Sequence, residues 1–462
     1  MHHRLKWLIF VGLVLCVCSG CGEGENTASV TRDFESGSIG EVRQVSPNEW
    51  ALSLADDNGN PELSDRWRAW WYVRMDDIDP DRLAVIHLKN RGWSCYYTPV
   101  YSYDQKTWHR FSEEEVSQPG DFELTMKKKF ASSTVWMARF YPYTYSDLTA
   151  YIGKIKNNPH VDIETPATTQ NKKPIYLLTL SDFDVDDSGK KRVWMHARTH
   201  PAETGPSFVL EGLIDFLLSG TREADAVLSQ FIFHIVPMQN IDGVMAGNYR
   251  TTPLNENLEV MWYSDPGNPL PLTSDAPVEV TALHHIVEAF MSQEPAISIA
   301  LNLHASNSDP DVRPFFFPHF GTVADGYTVS EASLWKKQIR FINSMGGQYG
   351  VNMLEPVPAE GGRSFATKMY PESWWWKNFK DSVMAITMET TYGRAGYGPD
   401  WITPDDLRCL GESLALGLRD YADPSIHFEK SALMFKGPVQ KYEPSHDSFY
   451  PPADPGEMKE QR

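Results

Sequence analysis

The chain is poor in cysteine, in positive charge and in long apolar runs, and each shortage removes a class of protein. Of five cysteines, Cys16, Cys18 and Cys21 crowd the N-terminus, leaving only Cys95 and Cys409 in the body. Two cysteines so far apart make neither a metal-binding spacing nor a disulfide framework. Lys and Arg number 42 against 61 Asp and Glu, a formal charge of −19 over 462 residues. No basic stripe is visible, so no nucleic-acid partner is expected. An acidic surface promotes solubility and disfavours anionic partners. The one long apolar run, Trp7 to Val17, is too short to span a bilayer comfortably. No internal repeat or low-complexity tract stands out.

That run has neighbours of its own. Arg4 and Lys6 precede it, and Cys18, Ser19, Gly20 and Cys21 follow. A basic start, a short apolar run and small residues describe a secretory signal peptide over residues 1–20. The Ser19-Gly20-Cys21 end looks like a bacterial lipobox with Cys21 as the lipidated residue, although Cys18 stands where a Leu is usual. Cleavage there removes two positive charges and no negative one, taking −19 to −21. The expectation is an exported protein of the bacterial cell envelope, facing the periplasm or the exterior. It would be held to the membrane by a lipid on Cys21, with residues 21–35 as a polar tether.

Residues 36–150 read as short aromatic and β-branched strands broken by Asp, Asn, Gly and Pro. Examples are Ala69–Val73, Ala84–Leu88, Cys95–Tyr101 and Thr134–Phe140. This spacing predicts an antiparallel β-sandwich. From 151 to 425 strand-like and helix-like runs alternate. Tyr176–Ser181, Arg192–Ala197, Phe231–Pro237, Ile297–Leu303 and Ser382–Met388 read as strands. Gly205–Ser219, Ala282–Met291, Leu334–Met345 and Pro404–Ala422 read as helices. Such alternation predicts an α/β domain, a mixed sheet flanked by helices. Residues 426–462 read as a polar tail.

Ligands gather beyond the carboxyl ends of strands in an open α/β sheet. Three predicted strands end in metal-capable or acid–base side chains. One runs into His200-Pro201-Ala202-Glu203, one into His304 and one into Glu389. His200 and Glu203, three apart across a turn, can aim at one point, and His304 would complete a two-His, one-carboxylate set. Three protein ligands with an open fourth position form the catalytic zinc arrangement, one Zn2+ per chain. Glu389 is the candidate proton acceptor. Each residue alone has a bland reading as a cap, a core histidine or a strand-end acid; their joint position at strand ends carries the argument. His196, His284 and His285 read as packing or surface histidines, and Trp374-Trp375-Trp376 as packing.

These segments resemble the zinc carboxypeptidases of the carboxypeptidase A type, and within them the cytosolic-carboxypeptidase branch. The resemblance rests on His196–Thr204, on Val236–Val244 with Gly247-Asn248-Tyr249-Arg250, on Leu301–His304 and on Ile386–Thr390. The β-strand region and Tyr141-Pro142-Tyr143-Thr144-Tyr145 also look like that branch. The resemblance implies that His200, Glu203 and His304 hold zinc and Glu389 is the general base. It also implies that Arg250 stabilises the oxyanion while a peptide amide bond is hydrolysed.

The pattern breaks after Arg250. Family members carry Asp-x-Asn-Arg there, for orienting a zinc-bound His and for gripping a substrate carboxylate. Here the stretch is Asn257-Leu258-Glu259-Val260. Asn257 can still accept a hydrogen bond from an imidazole. Val260 cannot bind a carboxylate, and Glu259 would repel one. Either Arg313, Arg363 or Arg394 takes over, or the substrate has no free carboxylate at that position. The alternatives to a carboxypeptidase are therefore a zinc amidase and a silent binding protein on a peptidase scaffold.

Overall fold

The computed structural model describes residues 28–94, 97–262, 276–308, 310–355 and 370–426. In the first part, alternation sets the faces of the strands. In β3 (Glu49–Ser53), Trp50 and Leu52 point inward; in β5 (Ala84–Lys89), Ala84, Ile86 and Leu88 do. These strands belong to a five-stranded sheet ordered β2 (Val42–Ser46), β3, β5, β9 (Leu124–Lys128), β8 (Val116–Ser117). A second sheet runs β1 (Ser29–Thr31), β4 (Tyr72–Asp76), β10 (Val135–Ala138), β6 (Val100–Ser102), β7 (Trp108–Arg110). Their inner faces share one core, in which Trp50, Ile86 and Met126 meet Val73, Met75 and Met137.

Two expectations change here. The sandwich is not wholly antiparallel, because β3 and β5 pair in parallel. Between them the chain crosses to the other sheet as β4 and returns in the same direction. The tether expected over 21–35 contains β1, whose Ser29, Val30 and Thr31 pair with Asp76, Met75 and Arg74.

The second part is built on a seven-stranded sheet ordered β11 (Val161–Thr168), β12 (Pro174–Leu180), β14 (Phe231–Val236), β13 (Lys191–Ala197), β15 (Ile297–Ser306), β17 (Met384–Thr391), β16 (Phe315–Phe316). The four strands β14, β13, β15 and β17 are parallel, with antiparallel edges, which makes the sheet mixed. Around it lie α1 (Tyr145–Ile155), α2 (Gly205–Leu217), α3 (Arg222–Leu228), α4 (Ile241–Ala246), α5 (Val278–Met291), α6 (Val329–Tyr349), α7 (Pro371–Phe379) and α8 (Pro404–Ala422). α2 and α8 cross at Gly212 and Gly411. A Cβ at either would stand 2.0 Å from a backbone carbonyl of the other helix, so these positions admit no side chain.

β15 and β17 outrun their predicted ends. Pairing continues through His304↔Glu389 to Ser306↔Thr391, so both residues lie inside strands rather than beyond them. The sequence pattern missed β11, α3, α4 and α7. β11 is a mostly exposed edge strand interrupted by Pro166, and the three helices are too short for a helical period to develop.

The two parts dock through the outer face of the β1-β4-β10-β6-β7 sheet. Tyr72, Val100 and Ala138 there join the core that includes Leu178, Trp194 and Leu213. Among the described residues, no helix is long and apolar enough to cross a membrane. Cys409 is exposed with a free thiol, and Cys95 lies outside the described residues, as does the tail from 427 onward.

Candidate metal centre

β13 ends at Ala197, and the chain turns at once through Arg198, whose φ of 60° is unusual for a residue with a side chain. The buried Arg198 guanidinium holds the turn from inside. Its Nε donates to Pro201 O at 2.9 Å, and its Nη1 donates to Tyr143 O and Ser207 Oγ, each at 2.9 Å. From the next loop, Thr199 Oγ1 donates to Gln239 Oε1 at 2.7 Å, and Asn240 caps α4 through Gly243 N. A Cβ on Gly243 would stand 2.5 Å from both Pro201 Cγ and Thr251 O, so the 236–244 loop fits only glycine there. These contacts explain why the His-x-x-Glu turn and the Met-Gln-Asn-Ile-Asp-Gly segment occur together: one loop is the mould of the other.

The turn aims His200 and Glu203 at His304 on β15. Glu203 Oε1 lies 2.9 Å from His200 Nδ1, Glu203 Oε2 lies 2.9 Å from His304 Nδ1, and the two Nδ1 atoms are 3.1 Å apart. Ala305 N donates to Glu203 Oε2 at 3.0 Å. All three side chains are buried, and one ligand atom of each lies within 4.8 Å of the others. Ligands at zinc bond lengths in a tetrahedron stand roughly 3.3 Å apart, close to this spacing.

The far side of each imidazole also fits a metal. His200 Nε2 faces Asn257 Oδ1 at 3.2 Å, and His304 Nε2 faces Glu259 Oε2 at 3.1 Å. An oxygen acceptor there keeps the proton on Nε2 and leaves the Nδ1 lone pair for a metal. Burial disfavours the charge on Glu203, yet His200 and His304 outweigh it and hold that carboxyl well below the usual range. Glu259 is thus not turned towards a substrate carboxylate. It accepts from Asn302 Nδ2 at 3.0 Å and from His304. Its effect should be measurable: Glu259→Gln is expected to weaken zinc binding about 10- to 100-fold in a chelator competition, with the fold intact. Unchanged zinc affinity would rule out this orienting role.

Glu389 stands beside His304 in register, half-buried, with its Oε2 buried and lacking a partner. Burial pushes its carboxyl well above the usual range, against the pull of His304. The charge of Arg250 disfavours a proton on His200 and lowers the pKa of the Glu389 carboxyl. Its guanidinium lies 5.7 Å from the Trp67 ring centroid. The loop that carries it is held by the N-terminal sandwich. Buried Asp57 accepts from Tyr249 N at 2.6 Å, from Arg250 N and Thr251 N at 2.8 Å, and from Thr251 Oγ1 at 3.0 Å. Asn58 Nδ2 donates to Thr252 O at 2.9 Å.

Other expected substrate-binding residues have different partners. Arg394 pairs with Glu113 at 3.0 Å and stacks over Trp401, and Arg313 bonds Asp311 O and lies over Tyr397. Neither is brought to the His200–Glu203–His304 cluster by these contacts, because the 310–313 and 394–401 loops fold on each other. Arg363 lies outside the described residues. Sequence reasoning passed over Arg139, which bonds Asn307 Oδ1 and lies 4.3 Å from the Tyr392 centroid. Asn307 in turn donates to Tyr249 Oη at 2.6 Å. Arg139 and Asp57 carry no local motif that could have marked them, and Glu259 was marked only as a residue that would repel a carboxylate.

The fold and the cluster together define a β-sandwich in front of an α/β domain with a two-His, one-Glu metal centre. Residues 30–140 match the cytosolic carboxypeptidase N-terminal domain, and residues 148–265 match the zinc carboxypeptidase family. Over these segments the chain is similar to the zinc carboxypeptidases, a family that uses zinc. It is 27% identical to human cytosolic carboxypeptidase 2, over 53% of this chain and 31% of that protein. It is 28% identical to Caenorhabditis elegans cytosolic carboxypeptidase 6, over 52% of this chain and 55% of that protein. The chain thus spans about a third to about half of the length of these relatives. Among solved structures, the metallo-carboxypeptidase of Burkholderia cenocepacia superposes with a TM-score of 0.72 at 21% identity, covering 86% of this chain and 99% of the other.

These relatives overturn the expectation of an exported, envelope-located protein, because their names point to the cytosol. The leader reading rested on composition alone, and residues 1–27, with Cys21, lie outside the described residues.

Proposed function

We propose that this chain is a zinc metallocarboxypeptidase that hydrolyses the amide bond of a peptide. The observation that carries this reading is the convergence of His200, Glu203 and His304 on one point with Glu389 in register beside them. When bound, zinc supplies a Lewis acid for the scissile carbonyl and acidifies the attacking water. Glu389 takes the proton of that water and hands it to the leaving amine, so one C–O bond forms as the C–N bond breaks. Arg250 holds the negative charge that gathers on the carbonyl oxygen. Asn257 and Glu259 keep the two imidazoles in the ligating tautomer. The two-sheet part and the α/β part, divided near residue 150, act as support and catalytic domain.

A second reading, a zinc amidase that needs no free carboxylate, is favoured by Val260 and by Glu259, whose charge sits beside the metal ligands. One peptide offered with a free and with an amidated C-terminus separates the two. A carboxypeptidase is expected to cleave the free form at least about 100-fold faster, the scale set by losing a charge-assisted grip. Equal rates exclude carboxylate recognition and leave the amidase. Zinc-dependent cleavage of neither form rejects both.

A further inference from the structure

Two segments of the sandwich carry arginine close to tryptophan, Arg68-Ala69-Trp70-Trp71 and Arg91-Gly92-Trp93. Gly92 lets them touch. Its N donates to Arg68 O at 2.7 Å, and a Cβ there would stand 2.3 Å from Asp65 O. Arg139, the residue after β10, completes the group. Arg68, Arg91, Arg139, Trp71, Trp93 and Tyr97 line a cavity of about 30 Å³ in the sandwich. That is room for roughly two water molecules, the space of one small ion rather than of a peptide segment or a nucleotide.

The lining is one-sided in charge. It holds three guanidiniums and, among the described residues, no Asp or Glu. Arg68 is paired, its Nε donating to Asp56 Oδ1 at 2.6 Å. Arg91 Nη2 donates to the carbonyls of Asp121 and Glu123 at 3.1 and 3.4 Å, and Arg139 Nη2 donates to Asn307 Oδ1. These acceptors are neutral. Among the described residues, Arg139 Nη1 and Trp93 Nε1 are buried without a hydrogen-bond partner. Arg139 itself is only 9% exposed. Buried donors are normally closed by an acceptor. Both of these groups can only donate, and beside guanidiniums the acceptor that fits best is an anion.

We propose that this cavity binds one small inorganic anion, of the phosphate or chloride kind, between Arg91, Arg139 and the Trp93 indole. The site is distinct from the metal cluster but joined to it through Arg139. That guanidinium bonds Asn307 and lies 4.3 Å from the Tyr392 centroid, and these two residues stand three positions beyond His304 and Glu389. Anion binding there needs no turnover, so it stands independently of the peptidase reading.

The test is calorimetric titration of the zinc-loaded full chain, freed of excess zinc, with sodium phosphate and with sodium chloride. A gluconate background keeps the ionic strength constant. At least one of the two salts is expected to saturate at one anion per chain. Arg91→Gln and Arg139→Gln should each weaken that binding at least about tenfold, the scale of a charge-assisted hydrogen bond. Trp93→Phe keeps the ring size and loses the donor, and should weaken it about two- to tenfold. Saturation by phosphate alone supports an oxyanion site, and saturation by chloride as well supports a site for any small anion. Saturable binding by neither salt means that water alone fills the cavity and overturns the proposal. Saturable binding that Arg91→Gln and Trp93→Phe leave unchanged places the anion at the zinc and overturns it too. If Arg139→Gln fails to fold, the other two variants decide.

Discussion

Glu389→Gln is expected to lower kcat by about 10²- to 10⁴-fold while leaving one zinc per chain, the range for loss of a positioned general base. The substitution is isosteric and removes only the ability to take a proton. Glu389 lies in β17 opposite His304, its Oε2 has no protein partner, and no backbone bond depends on it. An amide there therefore leaves the fold and the metal ligands in place. Zinc content by metal analysis and the rate on a peptide substrate are read together. Activity within tenfold of wild type, with zinc retained, would remove Glu389 from the chemistry. Loss of zinc along with activity would instead make it a structural acid. Chelation gives the companion control: it should abolish turnover, and added zinc should restore it.

Asp57→Ala is the second large effect, and it tests the sandwich rather than the metal. Asp57 is far from the ligands in sequence, yet its carboxylate collects three backbone N–H groups and one hydroxyl from residues 249–251. Burial raises its pKa, and those same bonds pull it down, so the charge is kept only because the loop satisfies it. Alanine would leave these three N–H donors without their acceptor. A loss of about 3–5 kcal/mol of stability is expected, the scale for breaking a buried, hydrogen-bonded charge. Because the same loop carries Arg250, kcat/KM should fall by about 100-fold even where the protein is still folded. Asp57→Asn, which keeps one acceptor, should fall between the two. Urea unfolding and kinetics on the same samples read both effects. If Asp57→Ala matched wild type in both, the sandwich would not be what fixes the Arg250 loop.

Glu259 occupies the register where the family places a carboxylate-binding residue, and here it faces His304 Nε2 and Asn302 instead. The change that weakens the case for anion recognition thereby adds negative charge beside the metal. That charge would raise the basicity of His304.

The candidate metal ligands were legible because each is local in origin. A strand reads as an apolar run of fixed length, a turn as the residues that break it, and His200, Glu203, His304 and Glu389 stand at or next to such junctions. The α/β layering and the sandwich were legible for the same reason, since period and turn chemistry act over a few residues. What escaped the sequence depends on contacts between distant segments. Asp57 meets Thr251 across 194 positions, Glu259 meets His304 across 45, and the parallel pairing of β3 with β5 exists only because β4 leaves for the other sheet. By itself the sequence brought forward the side chains proposed to hold the metal and to take the proton. The tertiary structure alone decided what stands behind them. An Asp, a Glu or an Asn has no assigned duty until the fold removes water from it and leaves one particular donor within reach.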